Sequence, residues 1–185
     1  MFLKFFLFFF LLLNYSLNLH AGEKQLIINQ LLEINNLTFN FKQITQDKIE
    51  TGSCILVFNN KLKCSYVDKN KKEIIINNKT LVVMQKRYDK IYFYPISKSP
   101  FLKILSKNSL ISLIRKSNLE LNDNIDLIYL DKNKKKITVF FEKENYDLMG
   151  WKIQDEFQNE IYFSLKIQNT NTKIDDNLFK IPQRN

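Results

Sequence analysis

From Leu37 almost to the end of the chain, apolar residues recur at every second position, not at every third or fourth. In "LTFNFKQI", Leu37, Phe39 and Phe41 alternate with Thr38, Asn40 and Lys42. Successive side chains of a strand point to opposite faces, so this period describes strands with one greasy face and one wet one. The alternation returns at Cys54, Leu56 and Phe58, at Leu62, Cys64 and Tyr66, at Ile125, Leu127 and Tyr129, and at Ile137, Val139 and Phe141. "MGWKIQDEFQNEIYFSLKIQ" reads as a longer hairpin around Asp155 to Asn159, and "NLFKIPQ" as a closing strand ended by Pro182. A chain patterned this way builds a curved antiparallel sheet of roughly ten short strands.

Two stretches depart from simple alternation. "KEIIINN" and "TLVVMQK", on either side of an Asn-Asn turn at 77–78, are apolar on both faces, and "KIYFYPI" follows them. A sheet with one wet face has no need of that, so either helices cover the outside or the inside lines a cavity. The other departure is helical. Residues 23–36 place Ile27, Leu31 and Ile34 at helical spacing, with two asparagines as a stop. In the middle of the chain, Ser99 and Pro100 form a helix start, crowded by Phe101, Leu102, Ile104 and Leu105. Asn108 and Ser109 then cap a second helix, with Leu110, Leu113 and Ile114 on its inner stripe. This insertion serves either as ordinary core or as a greasy lid.

The only two cysteines, Cys54 and Cys64, flank the turn in "GSCILVFNNKLKCSY". Asparagine tolerates the left-handed backbone that a hairpin needs. A three-residue loop, Phe58 to Asn60, sets Val57 against Lys61 and Cys54 opposite Cys64; a two-residue loop at Asn59-Asn60 misses by one. Two cysteines cannot complete a tetrahedral metal site, and their spacing is far from that of a redox motif. A cross-strand disulfide is the expectation, which implies an oxidising compartment.

The first residues agree. Lys4 precedes an unbroken apolar run from Phe5 to Leu13, and Ala21 supplies a small residue before Gly22. That is a secretory leader, residues 1–21, expected to be cleaved after Ala21, with residues 22–185 as one domain. An uncleaved anchor is the rival reading. Removal of the leader takes away only one basic residue, leaving 27 against 19 acidic ones, a net +8. Such a charge favours anionic head groups or an acidic partner. The lysines, however, are scattered or lie in turn-like runs ("KNKK", "KNKKK"), which argues against nucleic acid as a partner.

The chemistry of catalysis is thin. The sole histidine, His20, lies within the leader. The domain therefore lacks the commonest general base and the commonest metal ligand. Three glycines, Gly22, Gly52 and Gly150, cannot build a phosphate-cradling loop. Carboxylates such as Asp89, Glu142 and Asp155 stand singly. We expect no enzyme, no metal and no cofactor.

The order of these pieces resembles the bacterial periplasmic lipoprotein carrier family (LolA-like). The resemblance runs through the leader, the opening helix, "LTFNFKQ", the hairpin led by Gly52, and "IIINNKTLVV". It continues in the Pro-started "PISKSPFLKIL", in "GWKIQDEFQNEIYFSLKIQ" and in "DDNLFKIPQ". It implies an α+β fold: an incomplete antiparallel β-barrel with an N-terminal helix and a helical lid. It also implies a monomeric periplasmic carrier that hides lipoprotein acyl chains in an apolar cavity. Such a carrier collects its cargo from an inner-membrane lipoprotein-releasing ABC transporter and passes it to an outer-membrane lipoprotein acceptor. On that reading Phe39, Phe41, Leu56, Phe58, Tyr66, Leu81, Val83, Phe93 and Trp151 line the cavity. The lid is Phe101, Leu102, Ile104, Leu105, Leu110, Leu113 and Ile114. Three features depart from the family pattern. Asn59 and Asn60 replace an Arg-Pro pair whose arginine is implicated in lid closure, the turn at 77–78 lacks glycine, and the two cysteines are extra. The alternative is a periplasmic lipid-binding or envelope-sensing module of the same fold with a different ligand.

Overall fold

The computed structural model describes residues 22–58, 60–96, 102–131, 134–154 and 158–183. The leader, Asn59, the Ser99-Pro100 start, Phe101 and Asp155 lie outside the described residues.

Residues 22–33 form helix α1. Six strands follow as a meander: β1 (Asn36–Thr45), β2 (Lys48–Val57), β3 (Lys61–Tyr66), β4 (Lys72–Asn77), β5 (Thr80–Gln85) and β6 (Lys90–Pro95). Helices α2 (Leu102–Leu105) and α3 (Lys107–Lys116) come next. A second meander completes the sheet: β7 (Asn118–Leu121), β8 (Ile125–Leu130), β9 (Lys136–Phe141), β10 (Leu148–Gln154) and β11 (Glu160–Thr170). Pairing of β1 with β11 joins the meanders into one antiparallel sheet of eleven strands, with β6 at one edge and β7 at the other. The sheet is curved and unclosed. Its two edge strands are connected in sequence by α2 and α3.

Register explains how alternation becomes two faces. Leu37, Phe39 and Phe41 stand opposite Leu56, Cys54 and Gly52, which in turn face Leu62, Cys64 and Tyr66. The inner face continues through Ile74 and Ile76 to Val83 and Leu81. On the other side it runs through Phe163 and Trp151 to Val139 and Leu127. The helices add Ile27, Leu31, Ile104, Leu105, Leu110, Leu113 and Ile114 to this single core, and Ile34, just past α1, joins them. Helix α3 packs on β8.

Lysines tie the two longer helices together at both ends. The Lys24 ammonium donates to the carbonyls of Ser117 and Arg115, at the end of α3, and the Lys107 ammonium donates to Leu32 O, at the end of α1. Cations at helix C-termini satisfy carbonyls that have no partner within the helix. Lys107 also lies 5.4 Å from the centre of the Phe58 ring.

Several details differ from the sequence-based expectation. The N-cap of α3 is Ser106, which accepts from Ser109 N, so Asn108 and Ser109 already lie within the helix. Asn77 pairs with Thr80, which centres that turn on Asn78 and Lys79. The short β7 was not expected. The terminal "NLF" is a 3-10 turn, Asp176–Phe179, in place of a closing strand. It packs on β3 and β4, where Asn77 Nδ2 donates to Phe179 O and Lys61 pairs with Asp176. Phe179, Ile75 and Val82 are buried outside the main core. They account for the two-faced greasiness of β4 and β5: the outer side is covered by the chain's own C-terminal turn.

Candidate functional site

The inner face of β1–β5, β10 and β11 lines a partly open hollow of about 180 Å³. Its wall comes from Phe39, Cys54, Leu62, Cys64, Ile74, Ile76, Leu81, Trp151, Ile153, Ile161 and Phe163, with Gln43 and Tyr66 at one end. Among the described residues that line it, none comes from a helix.

Three devices hold this wall in shape. The first is the Cys54–Cys64 disulfide, which is formed. The β2–β3 loop has three residues, Val57 faces Lys61, and Asn60 takes the left-handed φ of 73° that such a loop calls for. The bridge therefore spans two directly opposed residues, and both cysteines line the hollow.

The second device is a row of rings. Trp151 stacks on Phe163 at 4.4 Å and 6°, and Phe163 stacks on Phe41 at 4.9 Å and 15°. Phe41 then meets Tyr66 edge to face at 4.9 Å. The row crosses β10, β11, β1 and β3, and skips β2 at Gly52. A Cβ there would stand 2.7 Å from Phe41 Cε1 and 2.1 Å from Ser65 O. Gly52 thus leaves the space that the Phe41 ring occupies. Gly150 plays a comparable part in β10, at a bulge opposite β9 with φ 150°, where a Cβ would meet Phe163 O at 2.1 Å.

The third device is polar. Gln43 stands opposite Glu50 across the β1–β2 pair. The Tyr66 hydroxyl donates to Gln43 Oε1 at 3.2 Å, and Lys72 Nζ lies 3.6 Å from the centre of the Tyr66 ring. Glu50 accepts from Lys72 at 2.5 Å and from Lys48 at 2.8 Å. Burial alone would raise the Glu50 carboxyl, but the hydrogen bonds from Lys48 and Lys72 outweigh it and hold the group below 4.5. Burial, then the nearby Glu50 and Asp68 carboxylates, push the Tyr66 phenol far up, so it stays a neutral donor.

Of the nine residues expected in the cavity wall, Phe39, Tyr66, Leu81 and Trp151 line the hollow. Phe41, Leu56 and Phe58 are buried in the surrounding core, and Val83 is on the inner face beside it. Phe93 is a correction: it faces Val82 on the outer side, while Tyr92 and Tyr94 take the inner positions of β6. Every residue from Ile91 to Tyr94 is apolar or aromatic, so alternation could not tell the faces apart there. The expected lid residues Ile104, Leu105, Leu110, Leu113 and Ile114 are buried in the main core, with Leu102 half-buried against it. Sequence reasoning left Gln43, Cys54, Leu62, Cys64, Ile74, Ile76, Ile153, Ile161 and Phe163 out of the cavity wall, the last three on strands β10 and β11. The signal was available in the pairing of Trp151 with Phe163 and of Ile153 with Ile161, once the β10–β11 register is known. Among the described residues no group of His, Cys, Asp and Glu could hold a metal ion, and no helix is long and apolar enough to cross a membrane.

The family model described as "Outer membrane lipoprotein carrier protein LolA" matches residues 33–182, from the end of α1 to past the C-terminal turn. The chain belongs to this family. An outer-membrane lipoprotein carrier protein of Campylobacter jejuni is 29% identical over 158 residues, which cover 82% of this chain and 85% of that protein. Among solved structures, an uncharacterized conserved protein from Thermus thermophilus aligns with a TM-score of 0.51 at 8% identity, over 86% of this chain and 94% of that one. A LolA superfamily protein from Nitrosomonas europaea aligns at 0.44 and 9% identity, over 85% and 97%. At 8% identity the likeness to the Thermus thermophilus protein is one of fold. Within the curved, unclosed sheet of this chain the hollow is the candidate site.

Proposed function

We propose that the protein is a periplasmic carrier that takes up lipoprotein acyl chains in the hollow and shuttles them from the inner to the outer membrane. One observation carries this reading: in a chain of a lipoprotein carrier family, the inner face of the unclosed sheet lines an apolar hollow. Export through the leader, a transporter that loads the carrier and an outer-membrane acceptor that unloads it belong to the proposal. So do a monomeric state and the absence of an enzymatic reaction.

Magnitudes say how it works. Each methylene withdrawn from water contributes about 0.8 kcal/mol, so a long chain contributes on the order of 10 kcal/mol gross. An apolar cavity of about 150 Å³ binds a molecule the size of benzene. The hollow, at about 180 Å³, therefore takes only a short piece of an acyl chain as it stands. Full uptake requires part of the inner-face packing to move. Helices α2 and α3 are suited to that, because they connect the two unpaired sheet edges in sequence and α3 packs on β8. Their burial in the empty protein competes with cargo, which keeps binding reversible.

Trp151, the only tryptophan, stands in the wall and reports directly. Addition of a triacyl lipopeptide to the purified protein should shift Trp151 emission and displace an uncharged hydrophobic dye. Depletion of the protein in cells should strand lipoproteins at the inner membrane. A protein that binds neither dye nor lipopeptide, in cells whose lipoproteins sort normally without it, overturns the proposal. Lipid binding with normal sorting would favour the module with another ligand.

A further inference from the structure

The inner face of the sheet does not stay greasy along its whole length. Along β1 it runs Phe39, Phe41, Gln43; along β2, Cys54, Gly52, Glu50; along β4, Ile76, Ile74, Lys72. Period two and the observed register bring the last members of these series together as a polar row, with the Tyr66 hydroxyl at its border. Gln43 and Tyr66 belong to the wall of the hollow, so this row is the hollow's polar end.

The one carboxylate of the row is already held by two ammoniums. Lys72 is held by Glu50 and lies over the Tyr66 ring, and Glu50 is also held by Lys48. Uncharged groups remain to meet a ligand. Gln43 Nε2 gives one hydrogen to Thr45 Oγ1 at 3.3 Å, and an amide nitrogen carries two. The Tyr66 oxygen, whose proton goes to Gln43, retains acceptor capacity. We infer that this end of the hollow recognises the uncharged ester or amide carbonyl of an acylated ligand and discriminates against a free fatty-acid carboxylate, with Gln43 as donor and Glu50 as the excluding charge. The inference rests on the carrier reading and adds a specificity to it.

Exclusion follows from the same contacts. A carboxylate at Gln43 would lie beside Glu50, and it could take Lys72 only by breaking an ion pair that is largely shielded from water. Burial first, and then the field of Glu50 and Asp68, disfavour a phenolate at Tyr66, and both act against a ligand anion placed beside it. An ester carbonyl needs one donor and brings no charge.

The test uses protein purified from the periplasmic fraction, loaded with an uncharged naphthylamine dye. The competitors are dodecanoate, at a pH where it is ionised, and glycerol monododecanoate. The monoester should displace the dye at about one tenth of the dodecanoate concentration, a ratio that one hydrogen bond accounts for. Gln43→Leu should bring the two concentrations together. Glu50→Gln should improve dodecanoate several-fold relative to the monoester. Equal or tighter binding of dodecanoate by the wild-type protein overturns the inference while leaving the carrier reading in place. An unchanged ratio in a folded Gln43→Leu protein does the same. If Gln43→Leu does not fold, the wild-type ratio and Glu50→Gln decide. Failure of both the dye and a triacyl lipopeptide to bind, in a protein whose depletion leaves lipoprotein sorting normal, overturns both.

Discussion

Strands β8 and β9 carry an inner face much like that of β3 and β4, yet the two regions end in opposite conditions. Ile125, Leu127, Ile137, Val139 and Phe141 are sealed in the core, and α3 packs on β8. Leu62, Cys64, Ile74 and Ile76 look into a hollow. Both faces are aliphatic, so composition does not decide which becomes core and which becomes cavity. Coverage by a helix does. What keeps the uncovered half open is a wall that cannot easily fold in on itself: a disulfide, a row of stacked rings and a network of ion pairs.

The largest expected effect tests the packed half. Leu110, on α3, is fully buried, and its truncation to alanine should cost about 2–5 kcal/mol in urea unfolding. Leu62→Ala should cost less, because a side chain beside a void already lacks partners on one side. Leu110→Ala should also raise affinity for a hydrophobic dye, since it weakens the helices that compete with cargo. Equal costs at the two sites would break the comparison.

Next comes the wall itself. Replacement of both Cys54 and Cys64 by alanine opens a loop with a sequence separation of 10 and should lower stability by about 2–3 kcal/mol. If the bridge keeps the hollow open, dye binding should fall by more than the loss of folded protein explains. A double variant with full dye capacity would leave the disulfide as a staple only.

Filling the space separates the halves in a third way. Ile114→Phe, in the packed half, should cost about 1–3 kcal/mol by overpacking. Ile76→Phe should cost under about 1.5 kcal/mol, because its added volume has somewhere to go, and it should abolish dye uptake. The readouts are denaturation midpoint and dye titration on the same samples.

How much of this was legible beforehand follows from which interactions are local. Alternation gave the strands and the inward parity of Phe39, Leu56, Leu62 and Trp151, because side-chain direction in a strand is a local property. The asparagine turn left two registers open, and the three-residue loop that sets Cys54 opposite Cys64 is the one observed. Three things depended on partners distant in sequence. Burial of Ile75 and Val82 required the C-terminal turn to cross β3 and β4, which no local pattern announces. The face of Phe93 required its pairing with Val82. The row of rings required β1 and β11 to pair, bringing Phe41 and Phe163 together across the chain. The helices were legible as greasy, but their greasiness could not say whether they fill a core or cover a cavity.

The smallest expected effect probes the network at the hollow's polar end. In the folded protein the Glu50 carboxyl is held below 4.5 by Lys48 and Lys72, while in the unfolded chain it returns to that ordinary value. The folded state therefore binds the Glu50 proton less readily than the unfolded state does. The resulting stabilisation is fully present above pH 4.5 and is lost as pH falls through the lower, folded value. Glu50→Gln removes that dependence. Its stability should fall below wild type at neutral pH, and the gap should narrow on acidification until the two proteins converge. Denaturation midpoints measured at a series of pH values check this. A gap that stays constant with pH would mean that Glu50 contributes packing and hydrogen bonding without its charge, and the polar end of the hollow would then be no more electrostatically defined than the helix-packed end.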